Sequence, residues 1–257
     1  MRLVPRQNLR EGRFYLLCVL CAAVVYLLYN GVMKICLFDI DGTLLSSGGA
    51  GKAAMEAALL AEFDLPEIMG RVSYSGRTDR AILSDLLRVH GVEETDASRR
   101  RFLESYLRRL PEHLKNATGK GVLPGITYLL EHLGGRERVA VGLLTGNVRE
   151  GARLKLEHFG LYQHFSFGGF GDEHHDRDEV AREAWAVVRQ RYGPAVLEEN
   201  VWVIGDTPMD VRCARAIGAR CLAVATGFHP LEELDAAGPD LLLPDLSDPE
   251  PFLRLWR

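Results

Sequence analysis

The chain has 257 residues, of which 47% are hydrophobic, so it is long enough for one sizeable core or for a core with a smaller second domain. Its formal net charge of -4 gives no support for nucleic acid as a partner, because proteins that bind nucleic acid usually carry a basic surface. The five cysteines are an odd number and predict free thiols rather than a disulfide framework.

The N-terminal segment is strongly apolar. Residues 14–29 are apolar without a break and follow four arginines, a pattern typical of a membrane-spanning or signal-anchor helix. However, the chain enters a predicted strand at Lys34 without a linker, and Met33 is a natural first residue. We therefore expect translation to start at Met33, with residues 1–32 as an upstream extension and the protein in the cytoplasm. The alternative is a membrane-anchored protein, and we expect membrane contact only if residues 14–32 are a genuine anchor.

Predicted strands and helices alternate through the rest of the chain. Apolar runs predict strands at residues 35–38, 139–144, 201–204 and 221–225, with a weaker candidate at 241–243. Helical patterns separate them at residues 126–133, 149–159, 179–192 and 209–217. This alternation predicts an α/β fold with a doubly wound, Rossmann-like parallel sheet, whose ligands bind at the carboxyl ends of the strands.

One long stretch, residues 50–121, carries no strand pattern. Helical periodicity occurs there at residues 52–63, 79–90 and 97–110. We interpret the stretch as a helical cap inserted into a catalytic core formed by residues 33–49 and 122–257.

The first polar motif, Asp39-Ile40-Asp41-Gly42-Thr43, follows the first predicted strand. The carboxylate of Asp39 can attack phosphorus and form an aspartyl-phosphate. Asp41 can protonate the leaving oxygen and then deprotonate water, while Gly42 lets the backbone turn close to a substrate. The alternative is a pair of turn-forming aspartates before a glycine.

The second motif, Thr145-Gly146-Asn147, ends the next predicted core strand. A hydroxyl and backbone N–H groups at this position can donate to phosphoryl oxygens. A helix N-cap by Thr145 or Asn147 is the alternative, and it is compatible with phosphate binding.

Binding of a phosphoryl group by these motifs would also need a cation, for which Arg177 and Lys155 are both candidates. We favour Arg177, because its planar fork suits bidentate recognition of a phosphoryl group. A lysine inside a helix, such as Lys155, is more often solvated or paired with a carboxylate.

The last motif places Asp206 and Asp210 after the strand predicted at residues 201–204. Mg²⁺ prefers oxygen ligands and keeps several waters, so Asp206 can complete a site with Asp39 and the backbone carbonyl of Asp41. Asp210 can bind the ion through water or orient the loop. The alternative is a helix cap by Asp206 or Thr207.

These motifs, in this order, resemble those of the haloacid dehalogenase superfamily over residues 33–257. The resemblance implies a doubly wound sheet with a helical cap, Mg²⁺ as cofactor, and an aspartyl-phosphate route with Asp39 as nucleophile and Asp41 as acid and base. The acid at Asp41 distinguishes phosphatases from true dehalogenases, whose halide leaving group needs no protonation.

The cap loop around Arg77 is similar to the substrate-facing loop of phosphoglycolate-phosphatase-like members, and Arg77 could pair with a substrate carboxylate. The alternatives are a surface pair of Arg77 with Asp79 or a helix cap by Thr78. Residues 46–49 and 176–178 depart from this subgroup, which carries Asp-Ser and Lys-Pro at the corresponding places. We expect a hydrolase of a small phosphorylated metabolite, first of all 2-phosphoglycolate. A phosphomutase or a membrane-tethered, non-catalytic phosphate-binding module are the alternatives.

Overall fold

The computed structural model describes residues 33–256. The predictions for residues 1–32, an upstream extension or a membrane anchor, lie outside this range. Within it, no helix is both long and apolar enough to cross a membrane. Cys36, Cys213 and Cys221 are buried free thiols, as expected.

A parallel sheet of six strands forms the centre of the molecule. The strand order is β5-β4-β1-β6-β7-β8, and every neighbouring pair is parallel. The strands are β1 (Lys34–Phe38), β4 (Val139–Leu144), β5 (Gly168–Gly169), β6 (Val201–Gly205), β7 (Arg220–Val224) and β8 (Leu241–Leu243). The weak candidate at residues 241–243 is therefore a strand. We did not predict β5, because two glycines give no apolar pattern.

The helices of the core are α4 (Ile126–Gly134), α5 (Arg149–His158), α6 (Arg177–Tyr192), α7 (Pro208–Ala216), α8 (Leu231–Ala236) and α9 (Glu250–Leu253). Alternate side chains of β1 point to opposite faces of the sheet, as strand geometry requires. Cys36 and Phe38 pack in a cluster with residues of α4 and α5, and Ile35 and Leu37 pack in a second cluster with residues of α6 and α7. The sheet is therefore covered on both faces, and the predicted doubly wound fold is confirmed.

A cap of three helices is inserted after β1. Its helices are α1 (Ala50–Phe63), α2 (Asp79–Val89) and α3 (Asp96–Asn116), and they share a separate apolar cluster. A short antiparallel pair, β2 (Leu45–Ser46) with β3 (Gly121–Val122), joins the two connections between cap and core. The exact cap boundaries at residues 50 and 121 stay a prediction.

The helix α3 extends beyond its predicted end at residue 110. Pro111 follows, and proline inside a helix removes a backbone hydrogen bond and usually ends or kinks the helix. The helix nevertheless continues to Asn116, with Pro111 inside it. Leu110 and Leu114 are both fully buried in the cap cluster, so burial of the second leucine favours one more turn of helix.

Candidate active site

The carboxyl end of β1 places Asp39 and Asp41 at the centre of the sheet edge. The backbone N–H of Asp39 donates to Ile204 O at 2.9 Å, which fixes the position of Asp39 beside β6. Gly42 has a φ of +84°, in the left-handed region that favours glycine, and its N–H donates to Leu45 O at 2.8 Å. This tight turn leads the chain towards the cap.

Asp39 is 5% exposed and lies beside Arg177, whose Nη1 donates to Asp39 Oδ2 at 3.3 Å. Burial raises the pKa of Asp39 to about 6; the charge of Arg177 opposes this shift, and the charge of Asp210 adds to it. The side chain predicted to be the nucleophile is thus buried against a guanidinium.

Asp41 is held by three hydrogen bonds. Oδ2 accepts from Lys155 Nζ at 2.5 Å and from Asn147 Nδ2 at 3.0 Å, and Oδ1 accepts from Ser47 Oγ at 2.9 Å. Burial alone would raise the pKa of Asp41, but the charge of Lys155 and these hydrogen bonds outweigh it and hold the pKa below its ordinary value. Two neighbouring carboxylates of one loop therefore have opposite pKa shifts.

Lys155 is 4% exposed and projects from α5 into the site. Its Nζ donates to Asn147 Oδ1 at 2.6 Å as well as to Asp41. Burial lowers the pKa of Lys155, but the charges of Asp41 and Asp79 reverse the shift, so its pKa is raised. Both predicted cations thus lie in the site, Arg177 beside Asp39 and Lys155 beside Asp41.

The motif after β4 has a different local structure from either cap that we considered. The N-cap residue of α5 is Val148, which makes no side-chain cap. Thr145 Oγ1 is fully buried and accepts from the Asn147 N–H at 3.3 Å and from Asn147 Nδ2 at 2.9 Å. Gly146 and Asn147 line a cavity between the core and the cap. The side chain of Asn147 hydrogen-bonds to Thr145, Asp41 and Lys155.

Asp206 follows β6 and is 2% exposed. Thr43 Oγ1 donates to Asp206 Oδ1 at 2.9 Å. Two glycines leave room for the other oxygen: a Cβ on Gly227 would lie 1.7 Å from Asp206 Oδ2, and one on Gly42 would lie 2.3 Å away. Burial and the charges of Asp210 and Asp39 raise the pKa of Asp206.

Asp210 is fully buried and uses both oxygens within the protein. Oδ1 accepts from Arg177 Nη2 at 2.6 Å, and Oδ2 accepts from the N–H and Oγ1 of Thr207 at 3.0 and 2.8 Å. Thr207 and Asp210 form a capping box at the start of α7, so the cap by Thr207, which we considered as the alternative, is present beside the acidic cluster. Asp210 therefore orients both Arg177 and the loop that carries Asp206.

Asp39, Asp206 and Asp210 form a buried acidic cluster, in which each residue offers an oxygen within 4.8 Å of the others. Within residues 33–256, Asp206 Oδ2 accepts no hydrogen bond from another residue, which leaves its lone pairs open. An all-oxygen donor set with little surrounding bulk fits Mg²⁺. The acidic cluster is thus suited to the predicted cation.

A cavity of about 470 Å³ lies between the core and the cap. Arg77 lines it, but its Nη1 donates to Asp85 Oδ2 at 2.6 Å and to Ser73 O at 3.3 Å. The surface pair of Arg77 with Asp79 is absent among the contacts of the described residues. Thr78 does cap α2, as its Oγ1 accepts from Ala81 N at 3.1 Å.

The cap is attached to the core through Asp79. Its N–H donates to Gly146 O at 2.7 Å, and its Oδ2 accepts from the Val148 N–H at 2.9 Å. Burial raises the pKa of Asp79 to about 7. A second contact places Ser75 Oγ 3.1 Å from His229 Nε2.

Asp79 was considered only as a surface partner of Arg77. No role in the site was predicted for it or for Thr43, Ser47, Tyr106, Thr226 and Gly227. Thr226 Oγ1 donates to Gly42 O at 2.5 Å, so the segment that follows β7 supports the turn after β1. Thr226 and Gly227 follow the strand predicted at residues 221–225, and this position at the carboxyl end of a strand could have identified them as site residues. The sequence gives no comparable signal for Tyr106, which lies in the middle of a cap helix.

The profile of the family described as haloacid dehalogenase-like hydrolase matches residues 36–215. The chain belongs to this family. It is 31% identical to a phosphoglycolate phosphatase of Cereibacter sphaeroides over 223 residues, which cover 80% of this chain and 95% of that protein. It is 29% identical to a phosphoglycolate phosphatase of Synechococcus elongatus over 221 residues, with coverage of 84% and 95%.

Solved structures share the fold. CbbY from Rhodobacter sphaeroides, in complex with phosphate, has a TM-score of 0.67 at 18% identity and covers 85% of this chain and 96% of that one. A predicted phosphoglycolate phosphatase from Haemophilus somnus has a TM-score of 0.66 at 19% identity, with coverage of 88% and 98%. The resemblance drawn from the motifs is confirmed, and the chain is a phosphatase of the haloacid dehalogenase type.

Proposed function

We propose that the protein hydrolyses a small phosphomonoester through an aspartyl-phosphate on Asp39, with Mg²⁺ as cofactor. One observation carries this proposal: Asp39, Asp41 and Asp206 line one cavity together with Arg177 and Lys155. Asp39 and Asp41 alone are compatible with a turn, and Asp206 with Asp210 alone is compatible with a helix cap. Carboxylates with opposite pKa shifts, buried against two cations, are instead typical of a catalytic site.

In the first step, a carboxylate oxygen of Asp39 forms a bond to phosphorus while the ester P–O bond breaks, and the protonated form of Asp41 gives its proton to the leaving oxygen. In the second step, Asp41 takes a proton from water as the water oxygen attacks phosphorus, which releases phosphate and the Asp39 carboxylate. Lys155 stabilises the ionised form of Asp41, which favours its role as the base. Arg177 keeps a positive charge beside the oxygen of Asp39.

The phosphoryl group would lie against Arg177, Lys155 and the Gly146-Asn147 backbone. Arg177 Nε is buried and has no hydrogen-bond partner among residues 33–256, so the guanidinium has a donor to offer. The Thr145 hydroxyl accepts twice from Asn147, and its own proton has no acceptor in the same range. Thr145 does not itself line the cavity, so its role as a donor to a phosphoryl oxygen stays a prediction that this free proton would permit.

Asp39, Asp206 and the backbone carbonyl of Asp41 would hold the Mg²⁺ ion, with Asp210 orienting the loop. When bound, the ion neutralises negative charge on the phosphoryl oxygens as a Lewis acid. The open lone pairs of Asp206 Oδ2 support this assignment.

The relatives named as phosphoglycolate phosphatases make 2-phosphoglycolate the first compound to test, with Arg77 as the residue predicted to meet its carboxylate. Purified protein is assayed for phosphate release from a broad panel of phosphorylated metabolites, with and without Mg²⁺. Release that depends on Mg²⁺ is expected. No release from any compound would refute the proposal, and tight binding of a phosphate analogue without turnover would favour the non-catalytic module.

A phosphomutase on the same scaffold would require a sugar bisphosphate for activity, so the panel is run with and without one. The cytoplasmic location stays a prediction, since it depends on a start at Met33. N-terminal sequencing of the natively expressed protein tests it: a first residue before Phe14 would contradict that start.

A further inference from the structure

A tyrosine in the cap presents a polar group to the cavity without a protein partner. Tyr106 lies in α3, is completely buried, and lines the cavity between cap and core. Within residues 33–256, its Oη has no hydrogen-bond partner. Buried hydroxyls are almost always hydrogen-bonded, so an unpaired one on a cavity wall indicates a ligand group that completes it.

Asp79 offers the complementary group on the same cavity. Its Oδ2 accepts from the Val148 N–H, whereas its Oδ1 accepts no hydrogen bond from the described part of the chain. Asp79 and Tyr106 are close enough that the charge of Asp79 helps burial to raise the pKa of Tyr106, together with that of Asp41. Tyr106 therefore keeps its proton and is a hydrogen-bond donor, while Asp79 supplies an acceptor oxygen.

Small residues leave space beside these groups. A Cβ on Gly151 would lie 3.3 Å from Tyr106 Oη, and a Cβ on Gly51 would lie 3.3 Å from Lys155 Nζ. The cavity of about 470 Å³ is lined by Tyr106 and Asp79 as well as by Asp39, so one ligand can contact the two cap residues and Asp39 together.

A free donor and a free acceptor that line the same cavity match a hydroxyl group, which accepts one hydrogen bond and donates another. A carboxylate cannot donate to Asp79, and the ionised form of Asp79, which predominates above its pKa of about 7, repels it. Arg77, the cation predicted for a substrate carboxylate, is already paired with Asp85. The observed groups therefore favour a hydroxylated leaving group.

We propose that Tyr106 and Asp79 form a leaving-group subsite that recognises a hydroxyl of a polyol or sugar phosphomonoester. This subsite rests on the proposed phosphatase function and specifies the class of substrate that the same cavity takes. Tyr106 donates to the substrate hydroxyl, and the hydroxyl donates to Asp79 Oδ1.

The experiment compares matched phosphomonoesters with and without hydroxyls, at a pH above the Asp79 pKa of about 7, where Asp79 is ionised. The pairs are glycerol 3-phosphate with propyl phosphate, and sorbitol 6-phosphate with hexyl phosphate. We expect kcat/KM of the full-length protein to favour the hydroxylated member of at least one pair by about tenfold or more, since a single hydrogen bond contributes roughly that factor. Tyr106→Phe keeps the ring and removes the hydroxyl, so it should lower kcat/KM for the hydroxylated ester about tenfold more than for its alkyl partner.

Asp79→Asn provides a test in the opposite direction. The amide oxygen can still accept from the Val148 N–H, and the NH₂ group then takes the place of Oδ1. A donor in that place suits a carboxylate, so we expect kcat/KM for 2-phosphoglycolate to rise about tenfold relative to glycerol 3-phosphate. Two variants are the matched controls. Tyr128→Phe removes the hydroxyl of an exposed tyrosine. Asp172→Asn changes an aspartate that accepts from the Arg149 N–H, at the start of the helix α5 that Val148 precedes. Neither control should change the ratios.

Some outcomes would overturn the subsite while the phosphatase function stands. One is phosphate release with no preference for hydroxylated esters in either pair. Another is a Tyr106→Phe variant that loses the same factor on both members of a pair, which indicates a structural role only. Absence of phosphate release from every compound of the broad panel would overturn the phosphatase function, and the subsite with it.

Discussion

The guanidinium of Arg177 lies 3.3 Å from the carboxylate of Asp39, although 138 positions separate the two residues in the chain. The same guanidinium donates to Asp210 at 2.6 Å, so it joins the end of β1 to the first turn of α7. Lys155 makes an equivalent pair with Asp41. The site thus assigns one cation to each carboxylate of the first motif, and substitutions should separate their roles.

Replacing Arg177 with lysine keeps the charge but removes the planar fork. We expect Arg177→Lys to lower kcat by about 10²-fold or more, because one ammonium cannot contact Asp39, Asp210 and a phosphoryl group together. Steady-state kinetics on any substrate that the panel identifies measures the effect. Arg189→Lys, on an exposed arginine of the same helix, is the control and should retain the wild-type rate. A near-normal kcat for Arg177→Lys would contradict this role and would indicate that Lys155 binds the phosphoryl group.

Removal of the nucleophile should abolish turnover and the phosphoenzyme together. We expect Asp39→Asn to lower kcat by about 10⁴-fold or more, the scale seen when a catalytic nucleophile is removed. Wild-type protein mixed with a ³²P-labelled substrate and quenched in acid should retain label on the protein, and Asp39→Asn should retain none. Asp235→Asn, on an exposed aspartate, should be labelled like the wild type. Label on the Asp39→Asn variant would place the covalent intermediate on another residue.

The contact between Gly227 and Asp206 provides a test of the cation site that leaves every proposed ligand in place. A Cβ on Gly227 would lie 1.7 Å from Asp206 Oδ2, so Gly227→Ala must displace this carboxylate. We expect the Mg²⁺ concentration for half-maximal activity to rise by about tenfold or more, within the range seen for disturbed metal-site neighbours. Gly134→Ala is the control, because a Cβ there meets no atom within 4 Å. An unchanged Mg²⁺ requirement would exclude Asp206 as a ligand.

The sequence was most informative where residue type and strand position agree. Asp39, Asp41 and Asp206 were predicted because polar residues after buried parallel strands converge at one edge of the sheet. The cap was predictable because helical periodicity without strands is visible locally. In contrast, β5 has two glycines and is held by its neighbour β4, so no local pattern marks it.

Long-range pairing of side chains was not predictable. Lys155 and Asp41 are 114 positions apart, and helical periodicity only shows that Lys155 lies on a helix. Arg77 lines the cavity, where its role towards a substrate stays a prediction, but it pairs with Asp85 and not with Asp79, six residues earlier in α2. Asp79, which does not pair with Arg77, instead accepts a hydrogen bond from the Val148 N–H of the core. This partner could be identified only from the folded chain.

The buried carboxyl of Asp79 should make stability depend on pH. Burial raises its pKa from 3.8 to about 7; the charges of Asp41 and Asp172 add to this, while the charge of Lys155 and the hydrogen bond from Val148 oppose it. Between these two values the folded protein retains a proton that the unfolded chain releases. The contribution of Asp79 to stability is therefore present below about pH 4 and is lost as pH rises through about 7.

Asp79→Asn removes this titration and keeps an acceptor for Val148. The free energy of unfolding of the variant relative to wild type should therefore increase with pH, by up to about 1.4 kcal/mol per pH unit across that window. Urea unfolding of both proteins at pH values from 5 to 8 measures the difference. Asp235→Asn should show a difference from wild type that does not vary with pH. A constant difference for Asp79→Asn would show that Asp79 is ionised in the folded protein throughout the range, with Lys155 compensating its charge.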